Sequence, residues 1–330
     1  MKKLLMLATV ALITAAPAAQ AQKKMTSIKV TQAVASFSFL PLYYAKNAGI
    51  YAAEGLDVQQ IATRGGGPDL VALMSGDVQF NVGAGTYQIG AIRQKRKIVL
   101  VYNYYNRNLI QIVMSNKVQQ KLGIAPSAPL KQRLAALKGL RLGMTRPGAL
   151  TDFQWRHLLR EGGLTTKDAK IVGIGGGAAL LAAMERGQID AYAISPPIDL
   201  MGISRGLGVM WINNAAGDDP SMDPFMFQSV VTTEEYARKN PEIVKAFVRA
   251  TRNAVNEITS RSAEEVFKVV RNDFKKLKPE LAIAAIKSVV PAFNKKGDVT
   301  LDMARNVMKM TGTKDVKPEQ LFGLFTPDYL

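Results

Sequence analysis

GGGAALLAAMERGQIDAY, residues 175–192, reads as a glycine turn, a short helix and the opening of a strand, and a variant of it, GGGPDLVALMSGDVQF, stands at 65–80. After each triple glycine, Leu, Ala and Met fall at the same spacing, as Leu70, Ala72 and Met74, then Leu180, Ala182 and Met184. Gly76 and Gly187 align after one inserted residue. Glycine suits a strand-to-helix turn where a side chain would crowd the backbone. The repetition therefore predicts the same turn in each of two successive βαβ sheets, with the two copies 110 residues apart.

Working outward, strands are expected at Ile28–Val34, Leu56–Ile61, Val78–Val82 and Ile98–Tyr102, with helices at Phe39–Asn47, Asp69–Ser75 and Thr86–Arg93. The pattern restarts with strands at Leu109–Ser115, Leu140–Met144, Ile171–Ile174 and Ala191–Ser195, and helices at Leu130–Leu137 and Thr151–Leu159. Such alternation implies an α/β chain with mainly parallel sheets covered on both faces. From about residue 232 the texture becomes helical. Thr232-Thr233-Glu234-Glu235 suggests a capped start, and Pro241 opens a helix to about Ile258 whose apolar positions mark a core-facing side. Further helices are expected near 262–273, 279–289 and 300–310, and little regular structure from Thr313 to Leu330.

The first 21 residues read as a cleaved secretory signal peptide: Lys2 and Lys3, the apolar stretch Leu4–Ala16, then Ala19-Gln20-Ala21. No cysteine occurs, which excludes disulfides, thiolate metal sites, a cysteine nucleophile and a lipid-anchored cysteine. The expected location is a Gram-negative periplasm. Removing two lysines takes the formal charge from +17 to +15. Lys and Arg are spread along the chain, the densest patch being Arg93–Lys97, so nucleic acid is not an expected partner and the charge reads as solubility and mild attraction for anions.

In open α/β sheets ligands sit where strands lead into helices, and helix starts there offer unpaired N–H groups to an anion. The candidate ligand residues follow from those turns: Ser36, Phe37, Ser38 and Phe39; Gly66 and Gly67; Thr86 and Tyr87; Arg146, Gly148, Ala149, Thr151 and Asp152; Gly175 and Gly176; and Pro196. Thr151, with N–H groups near Gly148 and Ala149, is expected to form a pocket for an acid group, opposed by Gly67 and Thr86, with Arg146 adding charge from the rim. Thr151 or Asp152 could cap the following helix. Phe37, Phe39, Tyr44 and Tyr87 could flank an apolar body.

Neither GGG stretch fits a nucleotide motif, because no GK[ST] end or properly placed G-x-G-x-x-G with its partner acid is present. No H-E-x-x-H spacing or G-x-S-x-G elbow occurs, and no catalytic residue, metal or cofactor is expected. The lone histidine, His157, lies between Arg156 and Arg160 and reads as solvated; Asp218-Asp219 reads as a loop cap or surface contact.

FLPLYYAKNAGIYAAEGLDV (39–58), MSGDVQF (74–80), LKGLRLGMTRPGALTDF (137–153), GGGAALLAAMERGQIDAYAISPP (175–197) and NPEIVKAFVRAT (240–251) closely resemble the periplasmic solute-binding proteins of ABC importers. The branch is that for nitrate, sulfonate, taurine and thiamine-pyrimidine uptake, and the likeness runs in order through residues 28–330. The resemblance implies a two-lobed Venus-flytrap fold joined by crossover strands near 109–115 and 225–231. It assigns 22–112 and 226–330 to lobe I, and 113–225 to lobe II. It also implies a monomer that passes a small, anionic organic ligand to an inner-membrane permease with a cytoplasmic ATPase. The same superfamily includes a thiamine-pyrimidine synthase that uses a histidine and a cysteine-rich stretch; this chain has no cysteine. A ligand-sensing subunit is the other alternative.

Overall fold

The computed structural model describes residues 25–63 and 67–330. The expected signal peptide, residues 22–24, and Gly65 and Gly66 of the first glycine triplet lie outside the described residues.

The chain opens with β1 (Thr26–Gln32), a 3₁₀ turn (Phe37–Phe39), α1 (Leu40–Asn47), α2 (Ile50–Ala53) and β2 (Leu56–Ala62). It continues through α3 (Gly67–Ser75), β3 (Phe80–Gly83), α4 (Gly85–Arg93) and β4 (Ile98–Asn103). The second half begins at β5 (Gln111–Ser115), α5 (Asn116–Leu122), α6 (Leu130–Ala135), β6 (Arg141–Met144), α7 (Leu150–Glu161) and β7 (Lys170–Gly173). There follow α8 (Gly177–Glu185), β8 (Ala191–Ile194), α9 (Ile198–Ser204), β9 (Gly208–Ile212) and β10 (Ser229–Thr233).

These strands make two five-stranded sheets, ordered β2-β1-β3-β10-β4 and β7-β6-β8-β5-β9. The orders match position for position. In each, four strands run in one direction and the fourth position holds the single antiparallel strand, β10 or β5. The repeated phrase is the turn after the edge strand of each sheet: α3 starts at Gly67 and α8 at Gly177, the third glycine of each triplet. Each short helix ends at its aligned glycine in the left-handed region, Gly76 at φ +82° and Gly187 at φ +64°. That geometry disfavours any side-chain-bearing residue.

Each antiparallel strand is contributed to one lobe by chain arriving from the other. Of the residues expected to cross, 111–115 form β5 and 229–231 open β10, while 109–110 and 225–228 lie before those strands; β5 already pairs with β8 at Gln111. The connecting segments are 104–110 and 213–228, and they hydrogen-bond to each other. Tyr104 N–H donates to Gln228 O (2.8 Å) and Phe225 N–H to Asn106 O (2.8 Å).

The helical remainder is α10 (Glu234–Lys239), α11 (Pro241–Ser260), α12 (Ala263–Val270), α13 (Pro279–Val289), α14 (Leu301–Thr311) and α15 (Pro318–Phe322). Thr233 caps α10 by accepting from Tyr236 N–H (3.1 Å). Val244, Phe247, Val248, Thr251, Val255 and Ile258 of α11 are all buried, and Phe247 stacks on Phe80 of the first sheet at 4.2 Å. The tail is more regular than expected: α15 packs on α4, and Phe325 bridges to Leu100 beside β4. Among the described residues, no helix is long and apolar enough to cross a membrane.

Candidate functional site

The carboxyl ends of four parallel strands, two from each sheet, converge on one small cavity of about 50 Å³. Ala33 and Val34 follow β1, Ala84 follows β3, Thr145 follows β6 and Ser195 follows β8. Ile110 and Gln228, one residue before β5 and β10, close it from the connecting segments. This is where an open α/β sheet places its ligand. A second cavity, of about 580 Å³, lies on the outer edge of the first lobe beside Lys97, Glu234, Glu235 and Arg238. Its described lining takes no residue from the second lobe, and its one strand carboxyl end is Thr233 of the antiparallel β10, so the interlobe cavity is the candidate site.

Among the described residues the inner cavity has no acidic or basic side chain in its lining; its polar groups are hydroxyls and the Gln228 amide. Ser38 Oγ and Gln228 Oε1 are buried with no protein partner, on residues 1 % and 6 % exposed. Buried polar atoms in that state call for a polar ligand. The first turn of α7 points Leu150 and Thr151 at the same space, and their N–H groups lack acceptors inside the helix. The start of α4 does the same beside Ala84. The arrangement suits an acid group held by neutral donors and two helix N-termini.

Thr151 also organises its own loop. Its Oγ1 accepts from Thr145 N–H (3.1 Å) and lies 2.8 Å from the Thr145 hydroxyl. Asp152 points away from the cavity: its carboxylate accepts from Gly148 N–H (2.9 Å) and Arg156 Nε (2.7 Å), bracing the turn without capping α7. Arg146 faces Asp69 of α3 across the cleft. Burial pushes the Asp69 carboxyl up to about 6, against the opposing pulls of the Thr63 hydroxyl, which hydrogen-bonds it, and of Arg146.

The other candidates separate into those at the cavity and those behind it. Ser38, Phe39, Tyr87, Ala149 and Thr151 line it; Thr86, Tyr87 and Gly148 line an adjoining outer cavity. Ser36 and Pro196 join the lobes. Ser195 Oγ donates to Ser36 Oγ (3.3 Å), and Phe37 N–H donates to Pro196 O (3.0 Å). The Phe37 ring turns into the core against Phe274 (4.7 Å), and Tyr44 is buried with its hydroxyl on Glu257 (2.9 Å), so neither flanks the cavity. Gly67 starts α3, Gly175 N–H donates to Thr145 O (2.9 Å) and Gly176 caps α8; neither Gly175 nor Gly176 lines either cavity. Gly66 lies outside the described residues. Sequence reasoning missed Gln228 and Ile110, which precede the antiparallel strands, whereas Thr145 and Ser195 stood inside the turns already singled out.

His157 overturns its expected solvation. It is fully buried, with Nε2 2.8 Å from Asp219 Oδ2, and Asp219 also accepts from Ser221 N–H (3.1 Å) and Oγ (2.6 Å). Asp219 is therefore a buried anchor in the second connecting segment as well as a local cap. On the same helix Gln154 Oε1 accepts from Asn108 Nδ2 (2.6 Å) in the first connecting segment. Farther along, Arg160 Nη2 donates to the Lys309 and Met310 carbonyls (2.8 and 2.7 Å) at the end of α14. The helix that presents Thr151 is thus fastened to both connections between the lobes.

This geometry is that of the periplasmic binding protein fold, as comparison with solved structures confirms. The chain is similar to a protein from Bordetella bronchiseptica RB50 (22% identity, covering 93% of this chain and 96% of that one, TM-score 0.79). It is similar to the periplasmic nitrate-binding protein NrtA from Synechocystis PCC 6803 (17% identity, 93% and 87% covered, TM-score 0.74). It also matches the periplasmic aliphatic sulphonate binding protein SsuA from Escherichia coli (16% identity, 89% and 96% covered, TM-score 0.69). By sequence the chain belongs to the NMT1/THI5-like family, whose model matches residues 36–265. No curated protein sequence matches it.

Proposed function

We propose that the protein is the solute-binding component of an ABC-type importer, holding a small acidic organic solute between its lobes and presenting it to a membrane permease with a cytoplasmic ATPase. The observation that carries this reading is the inner cavity, where strand ends from both lobes bring buried, unpartnered hydroxyl and amide groups to one point. Hydroxyls, an amide and apolar groups suit holding a solute rather than general acid–base chemistry. The family and the sulfonate- and nitrate-binding neighbours support the reading, and the basic charge favours an acidic solute. The working location is the periplasm, reached through the signal peptide, with residues 22–112 and 226–330 as one lobe and 113–225 as the other. Ligand favours the closed form because only that form makes contacts from both lobes.

Thermal-shift screening against sulfonates, carboxylates, nitrate and pyrimidines tests the reading, since a cleft ligand raises stability by mass action. Thr151→Val removes the acceptor of the Thr145 N–H and the hydroxyl beside the acid group. Its expected effect is a loss of about ten- to a hundredfold in affinity, or ~1.4–2.8 kcal/mol, measured by calorimetry with the tightest ligand of the screen. An unchanged affinity would remove Thr151 from the site.

A further inference from the structure

We propose that Asp199 is a proton-sensitive positioning residue, whose neutral carboxyl seats α9 and with it the Ser195-Pro196 step at the seam between the lobes. The proposal rests on the reading of the inner cavity given above, because Ser195 lines that cavity. Asp199 stands in the first turn of α9, just past Ser195-Pro196-Pro197. Pro196 O accepts from Phe37 N–H (3.0 Å), and Ser195 Oγ meets Ser36 Oγ (3.3 Å). Whatever shifts the start of α9 therefore acts on both of these interlobe contacts.

Asp199 is 1 % exposed, and among the described residues its Oδ1 has no partner. An unpaired carboxylate in such a place costs far more than a neutral carboxyl. Gly202, three residues on and on the same face of α9, lies so close to the Tyr192 hydroxyl that a side chain there would collide with it. That hydroxyl feels the Asp199 charge and is itself buried without a partner. Asp199 thus faces a neutral group and no cation. The elements packed on α9 supply none either. β5 and β9 have no titratable side chain, and α8 and α13 carry Glu185, Glu280 and Lys287 only at exposed positions. Arg205, just past the end of α9, acts on Tyr192. Burial pushes the Asp199 carboxyl up to about 7, against the pull of the Leu200 and Asp199 N–H groups. The fold therefore keeps a proton that the unfolded chain releases at about pH 4. Stability from this group falls as pH rises from there to about 7 and levels off above it.

The test compares the wild type with Asp199→Asn, which keeps the shape and stays neutral at every pH. Asp69 is also pushed up, to about 6, so the difference between the two proteins is what is read. In urea the wild type should lose about 0.5 M of midpoint relative to the variant between about pH 5 and pH 8. Calorimetric titration with nitrate and with methanesulfonate, both ionised throughout, reads the seam. Wild-type affinity should fall about three- to tenfold over that range relative to the variant. Infrared difference spectra of the wild type alone should show a protonated-carboxyl band that leaves as pH passes about 7. A missing band, or parallel urea profiles, overturns the proton site. Affinities that change equally in both proteins overturn its hold on the seam. If neither anion binds at any pH, the acid-site reading itself falls, and the control of the cleft with it.

Discussion

Trp155→Ala is expected to lower stability by about 3–5 kcal/mol, the range for emptying a fully buried large side chain. Trp155 has no exposed surface, and its Nε1–H donates to Gly143 O in β6 (2.9 Å). It therefore fixes the height of α7 over the second sheet as well as filling space. Thr151 lies one turn earlier on the same helix, so the loss should reach the ligand seat. Urea unfolding measures it as a lower midpoint at unchanged slope. Trp155→Phe keeps most of the packing and loses the hydrogen bond; it should recover more than half of the deficit. Equal losses for Ala and Phe would mean that the bond to Gly143, and not the filled volume, dominates.

Asp219→Ala is expected to cost about 3 kcal/mol at neutral pH, because it breaks a buried pair and strips His157 Nε2 of its partner. Burial alone would push the Asp219 carboxyl up, but hydrogen bonds from His157 and Ser221 outweigh it and hold the carboxyl below the usual carboxylate range. A depressed acid contributes stability above its unfolded value, near 4, and loses that contribution as pH falls through its folded value. The gap between wild type and variant should accordingly be constant from about pH 5 to 8 and narrow below pH 4. A gap that stays constant into acid would show that the carboxylate charge plays no part.

Both substitutions act on one helix, which gives the fold a route from ligand to hinge. In the proposed binding role α7 would meet solute at its first turn; it touches the first connecting segment through Gln154–Asn108 and the second through His157–Asp219. Solute that settled α7 would thereby bias the two connecting segments about which, on that proposal, the lobes turn. The equilibrium shifts only by as much as the solute prefers the closed form.

The fold was largely legible because its signal is duplicated. The glycine, Leu, Ala and Met spacing recurs, and the alternation of β-branched runs with short amphipathic segments restarts after Tyr102. α5, α9 and β9 were missed. The run Gly208–Ile212 is short and apolar with no alternation, and α9 follows Pro196-Pro197, which reads as a turn. The site was legible as a set of turns and illegible as a set of orientations. Ser36 to Phe39 shows why: Ser38 and Phe39 face the cavity, while the Phe37 ring packs on Phe274, more than two hundred residues away in the chain. His157 was misread because its buried face also carries Thr151, Asp152 and Gln154, polar residues that blur the apolar period. The partners of Gln154 and His157, Asn108 and Asp219, are set by tertiary structure that local sequence does not contain.

The central claim is that solute is held behind a seam between the lobes and leaves only when they part. Ser36 and Ser195 meet across that seam with their Oγ atoms 3.3 Å apart, in a chain without cysteine. A Ser36→Cys/Ser195→Cys variant can therefore be locked by a single disulfide. The measurement is the rate at which bound acid leaves the oxidised and the reduced protein. Release slowed at least about a hundredfold by oxidation, and restored by reductant, is the result this account predicts. Equal release rates in the two forms would contradict it.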